Sequence, residues 1–240
     1  MFYWNFLHLF IRFLNLAAMK INFRPLRTLG LLPLIVVVSC SRSPDPLPQE
    51  LLIANYPLIS DGADLTGLNG AMTLQNVPFQ NGGIFCNGVY VYSQNSNYCL
   101  AESPPINSFH FESFSISMDF FVTEKIDQPV WIIGKSCRWL GFYLNSNGTV
   151  ALLYNNWDFL ATQKTYSLNE WHNAKISFDG TTANVFLDNS LAGSLKFGNG
   201  YVALNSKGCG ESDTEIGVTN YSNGAVFKGY ARNLKVYTLQ

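Results

Sequence analysis

The sequence predicts an all-β fold, two antiparallel sheets packed face to face, carried behind a short export leader. Three observations lead there. From Leu51 onward no segment keeps a 3.6-residue apolar period, and short runs alternate apolar with polar residues instead. Gly, Asn, Asp and Ser punctuate those runs at the places where a chain must turn. Aromatic residues make up 15% of the chain and charged residues only 13%, which suits large inward side chains and a surface rich in Tyr, Asn and Ser.

The leader comes first. Lys20, Arg24 and Arg27 form a basic region, and residues 29–38 are an apolar run broken only by Gly30 and Pro33. That run is shorter than the roughly 20 residues a membrane-spanning helix needs. A span reaching back through residues 1–18 is opposed by Arg24-Pro25 and Arg27. Val37-Val38-Ser39-Cys40 is an aliphatic pair, a small residue and then Cys. Lipoprotein signal peptidases cut that pattern, which makes Cys40 a lipidated first residue. Residues 1–39 are therefore read as a signal-peptide region, with Met19-Lys20 an alternative start. Residues 40–50 are the lipidated Cys and a tether whose prolines at 44, 46 and 48 favour an extended polyproline path. The expected address is the bacterial cell envelope, and Ser41 in place of Asp favours the outer membrane.

Residues 51–240 are expected to form one domain. Arg12, Lys20, Arg24 and Arg27 leave with the leader, so 11 basic residues remain against 16 acidic ones, a net charge of −5. No basic stripe is left. Nucleic acid is excluded as a partner, and the membrane is expected to be met through the lipid anchor only. Four cysteines remain after Cys40, and an even number in an exported chain points to two disulfides with three possible connectivities. Cys86–Cys99 with Cys137–Cys209 is the favoured pairing, because the first closes a loop of 12 residues. Each bridge would contribute about 3–4 kcal/mol. No C-x-x-C pair supports a four-thiolate metal site.

The strands follow in order. Phe114, Ile116, Met118 and Phe120 alternate with Ser113, Ser115, Ser117 and Asp119, one face buried and one hydrated. The turn Asn145-Ser146-Asn147-Gly148 joins a strand at 140–144 to one at 149–154. Ala174, Ile176 and Phe178 alternate with Lys175 and Ser177; Asp179-Gly180 then turns the chain toward Val185 and Leu187. About a dozen such strands imply two packed sheets.

In their order these segments resemble a family. Asn55-Tyr56-Pro57-Leu58 with Asp61 and the Asp64-Leu65-Thr66-Gly67-Leu68-Asn69-Gly70 stretch form its entry motif. Phe114-Ser115-Ile116-Ser117-Met118-Asp119-Phe120-Phe121 is one of its strands. Glu170-Trp171-His172, then Asp179-Gly180, then Val185-Phe186-Leu187-Asp188-Asn189 form its most recognisable signature. Glu215-Ile216-Gly217 and the run from Phe227-Lys228-Gly229-Tyr230 to Val236-Tyr237 close it. Together they resemble the laminin-G-like branch of the concanavalin A-like lectin and glucanase jelly rolls, over nearly all of residues 51–240. The resemblance implies a two-sheet antiparallel jelly-roll sandwich that binds sugar or protein. Asn189 stands where the family has Gly, and Ala231-Arg232-Asn233 replaces its acidic position before the last strand.

Four constellations carry candidate chemistry. Glu211, Asp213 and Glu215 would line one face of a strand, as in the glucan-hydrolysing branch of the superfamily, where two Glu residues act as nucleophile and acid/base. Ser212 and Thr214 between them are polar, which favours a solvated loop entering a strand. Asp61 and Asp64, with carbonyls of residues 67–70, offer oxygen donors to Ca²⁺, or else shape turns through their own hydrogen bonds. His110 and His172 are the two histidines after Cys40, and no H-E-x-x-H, G-x-S-x-G or P-loop is present; His172 reads as structural. Tyr154-Asn155-Asn156-Trp157-Asp158 combines a sugar-stacking indole or phenol with amide and carboxylate groups, though Asn-Asn is also an ordinary hairpin turn. Tyr90, Tyr92 and Tyr98 form a second aromatic group, and Tyr201 and Tyr221 could extend a rim. The expected function is a non-catalytic envelope lipoprotein that binds glycan or a surface protein through its loops and one sheet face. A glycoside hydrolase using Glu211 and Glu215, and an adhesion module without a small-molecule site, are the alternatives.

Overall fold

A computed structural model describes residues 49–88, 100–107, 113–127, 129–135, 141–154, 158–197, 214–216 and 227–240. The chain divides into two units, Met1–Asp45 and Pro46–Gln240, and every described residue belongs to the second. The leader, Cys40 and the prolines of the tether lie outside the described residues.

Fifteen strands are described: β1 (Glu50–Tyr56), β2 (Thr73–Gln75), β3 (Phe79–Gln80), β4 (Gly83–Asn87), β5 (Leu100–Glu102), β6 (Phe114–Val122), β7 (Val130–Lys135), β8 (Gly141–Leu144), β9 (Thr149–Tyr154), β10 (Asp158–Thr165), β11 (Trp171–Phe178), β12 (Thr182–Leu187), β13 (Ser190–Lys196), β14 (Thr214–Ile216) and β15 (Lys228–Leu239). They form an eight-stranded sheet in the order β13-β12-β11-β6-β15-β4-β3, with β1 also on β15, and a seven-stranded sheet in the order β10-β9-β8-β7-β14-β5-β2. All pairings are antiparallel. The fold is the expected two-sheet sandwich.

The core follows the period of two. Phe114, Ile116, Met118, Phe120 and Val122 of β6 lie beside Ala174, Ile176 and Phe178 of β11 on the inner face of the same sheet, and all are at most 2% exposed. Each fully buried ring contributes about 1.5–3 kcal/mol over an exposed one. The other phase of β6 departs from expectation. Ser115 and Ser117 are buried as well, at 0% and 8% exposure. Ser115 stands opposite Tyr237, and Ser117 stands between Lys235 and Lys175. Lys175 also reaches toward the Tyr237 ring, 6.0 Å away. Short side chains in the middle of such a row are roofed over by their longer neighbours.

The turns use the residues the sequence offers. Gly148 and Gly180 adopt positive φ (84° and 92°) at the β8–β9 and β11–β12 hairpins. Asp188 and Asn189 turn β12 into β13 at φ values of 50° and 60°, the pair of left-handed conformations that Asp and Asn tolerate in a tight hairpin. Asn189 thus takes a turn position that Gly would also fill. At one side the two sheets meet: a side chain on Gly193 of β13 would lie 3.0–3.1 Å from Thr162 and Leu160 of β10. The contact shields two edge strands at once.

Candidate functional site

The outer face of the eight-stranded sheet holds an arrangement that no contiguous motif announces. Phe85, Tyr230, Phe121 and Trp171 occupy one row across β4, β15, β6 and β11, because Tyr230 pairs with both Phe85 and Phe121, and Phe121 pairs with Trp171. Their ring centroids are 5.2, 5.6 and 5.7 Å apart in that order. All four rings are half-buried. Each is the out-of-phase aromatic of its strand, flanked by inward residues such as Phe120, His172 and Ala231.

A polar row runs beside the rings. Arg232, Asp119 and Asn173 are register partners on β15, β6 and β11. Asp119 is the hub: Asn173 donates to its Oδ1 at 2.9 Å, and Asn233 and Arg232 donate to its Oδ2 at 2.7 and 3.4 Å. The Arg232 guanidinium lies 3.9 Å from the centre of the Trp171 ring, a stacking cation–π contact. A β-bulge between Arg232 and Lys235, with Asn233 at φ 55°, brings both Asn233 and Arg232 onto Asp119. The β3–β4 hairpin forms a wall. Asn81 and Gly82 turn it at φ 49° and 73°, and Gly83 admits no side chain. A Cβ there would lie 2.6 Å from the Ala231 carbonyl oxygen and 3.2 Å from the Trp171 ring. Half-exposed rings beside amides, a carboxylate and a guanidinium can stack on an apolar ring face while exchanging hydrogen bonds with hydroxyls.

The residues singled out from sequence fare differently. Tyr154 ends β9, and its ring meets Phe197 edge-on at 5.7 Å, which in turn meets Phe178. Its contacts run to the core rather than to a sugar platform. Asp158 pairs with Tyr154 across the hairpin; Asn155, Asn156 and Trp157 lie outside the described residues. So do Tyr90, Tyr92, Tyr98, Tyr201, Tyr221 and His110. Glu215 lies in β14, in register with Glu102 on one side and Gly134 on the other; Glu211 and Asp213 fall outside the described residues. Cys86 is buried in β4, while Cys99, Cys137 and Cys209 lie outside.

Asp64 takes the turn-shaping role. Its Oδ1 accepts from the backbone N–H of Asn55 and Thr66 at 2.8 and 3.1 Å. Its Oδ2 accepts from the Thr66 hydroxyl at 2.5 Å and from the Asn69 backbone and side-chain N–H at 3.0 and 2.8 Å. Five donors fill the roughly four lone-pair sites of one carboxylate, so Asp64 has no position to offer the calcium ion considered from sequence. Asp61 accepts from the Ala63 N–H at 3.0 Å. Burial pushes the Asp64 pKa up, and the hydrogen bonds outweigh it, leaving the carboxyl below its ordinary range.

A Ser–His–Asp constellation is also present. His172 Nδ1 lies 2.8 Å from Asp188 Oδ2, and its Nε2 lies 3.0 Å from Ser167 Oγ. The backbone N–H of Ser167 donates to the same Nε2 at 3.1 Å, and the Ser167 hydroxyl donates to Glu170. The group links two turns. It ties the turn before β11 to the β12–β13 hairpin, where Asp188 also accepts from the Asn173 N–H at 2.8 Å.

No family model matches this chain, and no curated protein matches it in sequence. Its fold has clear counterparts among solved structures. Domain 4 of AbnA, an extracellular GH43 arabinanase from Geobacillus stearothermophilus solved with arabinotriose, is 14% identical at a TM-score of 0.56, over 79% of this chain and 93% of that one. A mutant of Trypanosoma rangeli sialidase with trans-sialidase activity is 14% identical at 0.60, over 78% of this chain and 30% of that one. A botulinum neurotoxin type C structure, whose cell entry depends on two ganglioside molecules, is 12% identical at 0.54, over 79% and 48%. The chain thus spans under a third of the sialidase and about half of the neurotoxin chain. At these identities the likeness establishes the fold, an antiparallel β-sandwich, without singling out the laminin-G branch.

Proposed function

We propose that this chain is a non-catalytic, lipid-anchored envelope protein whose laminin-G-like sandwich binds glycan across the outer face of its eight-stranded sheet. One observation carries the reading: four half-buried rings in register beside the Arg232–Asp119–Asn173–Asn233 cluster. The associations of the structural counterparts with arabinotriose and with gangliosides support it. The anchor rests on the motif at Cys40, and a shift of Cys40→Ala from the membrane to the soluble fraction checks it.

A glycan-array screen of the purified protein tests the binding. Reproducible binding is expected, lost at least tenfold in Trp171→Ala and retained in Tyr154→Phe. A blank array removes glycan from the reading for every structure tested and moves the site to a protein partner. A second reading has its own observation. Glu215 and Glu102 are register partners on adjacent strands, and retaining glycosidases work with a pair of neighbouring carboxylates. Release of reducing ends from a polysaccharide, abolished in Glu215→Gln, would establish that reading in place of the first.

A further inference from the structure

We infer that the ligand of this face is an acidic saccharide, one whose sugar ring carries a carboxylate, and that Arg232 and Lys235 take that carboxylate. The inference rests on the glycan reading above and names the substrate class of the same site.

The charges on the face decide it. Lys175 is neutralised by Glu50 at 2.6 Å, and Lys228 by Glu124 at 3.1 Å. Asp119, the acidic group of the polar row, is occupied by Asn173, Asn233 and the Nε of Arg232. Two cationic groups keep capacity for an anion: Arg232, which meets Asp119 through Nε alone, and Lys235. The terminal nitrogens of Arg232 have no hydrogen-bond partner among the described residues, and its side chain stays 31% exposed. Lys235 likewise has no ion-pair partner among the described residues, and it is half-exposed.

Geometry makes these charges usable. The Trp171 stack and the Nε bond to Asp119 hold the guanidinium in one place, so little side-chain entropy is lost when its outer edge takes a ligand. The bulge puts Lys235 in the next row of the same face, opposite Ser117, where a regular strand would have placed residue 234. A guanidinium fork suits a planar carboxylate better than a neutral hydroxyl. The rings of Tyr230, Phe121 and Trp171 lie alongside to take the C–H face of the same sugar. A neutral glycan would leave Lys235 without a counter-charge and the outer edge of Arg232 without an acceptor, and a purely apolar partner would also strand Asp119 and its two amides.

The test compares matched probes by calorimetric titration of the purified protein. Trigalacturonate is set against its methyl ester, which keeps the ring and removes the charge, and sialyllactose against lactose; the two pairs separate a uronate from a sialate source. At least one acidic probe is expected to bind tenfold or more tightly than its neutral partner. That preference should shrink to less than threefold in Arg232→Gln and fall as salt is raised. Lys235→Gln, which leaves the Trp171 stack untouched, should reduce the preference too and covers the case in which Arg232→Gln misfolds. Neutral and acidic partners binding equally well, with binding still lost in Trp171→Ala, would overturn the acidic assignment and leave the glycan reading standing. Failure of all four probes alongside a blank array would overturn both.

Discussion

Asp64 shows how much one side chain organises here. Its carboxylate gathers five hydrogen bonds from Asn55, Thr66 and Asn69, and Asn69 in turn accepts from the Asn107 N–H at 2.8 Å. Removing it leaves several donors facing an empty site, so Asp64→Ala should cost about 1–3 kcal/mol in denaturant unfolding. Added calcium should leave that midpoint unchanged. Asp179 does the same work at the β11–β12 turn, accepting from the Thr181 and Thr182 N–H at 2.8 and 2.6 Å. For both, burial raises the pKa and the hydrogen bonds lower it further, so both are depressed in the folded state. Their contribution is complete above the ordinary carboxylate pKa of about 3.9 and is lost as pH falls through the lowered folded values. Thermal melts from pH 6 to pH 2 should show stability falling below about pH 4, with a shallower fall in Asp64→Asn. An unchanged slope in that variant would remove Asp64 from the account.

Among the elements, β15 matters most, since it pairs with β1, β4 and β6 and carries Tyr230, Arg232, Asn233 and Lys235. It lies against β6 so closely at Gly229 that a Cβ there would sit 1.8 Å from the Phe121 carbonyl oxygen. Gly229→Ala should therefore cost about 3 kcal/mol or more, and a near-neutral effect in unfolding experiments would contradict the pairing. The strands themselves were legible. The alternation in 114–120 and 174–178, and the Asn-Gly and Asp-Gly turns, specify local geometry from adjacent residues alone. The site was not. Residues 85, 121, 171 and 230 are remote in sequence, and only the register of four strands sets them in a row. The signal that could have found them is an aromatic in the solvent phase of a strand, such as Phe121 after Phe120. In the contiguous 154–158 cluster, Tyr154 packs on Phe197 at the end of its strand.

At the scale of the molecule, the two faces of the eight-stranded sheet divide the labour. The inner face builds the core with the seven-stranded sheet, and the outer face collects the rings, the amides and the cations Arg232 and Lys235. The seven-stranded sheet has its own outer cluster, Tyr143, Ala151 and Leu153, at most 4% exposed. The proposed recognition surface is one sheet face. Amide chemical-shift mapping of the purified protein, titrated with whichever of trigalacturonate or sialyllactose binds, tests that most directly. It predicts shifts concentrated at Phe85, Asp119, Phe121, Trp171, Asn173 and residues 230–235. Shifts centred instead on Glu102, Gly134 and Glu215, with the aromatic row unmoved, would contradict it.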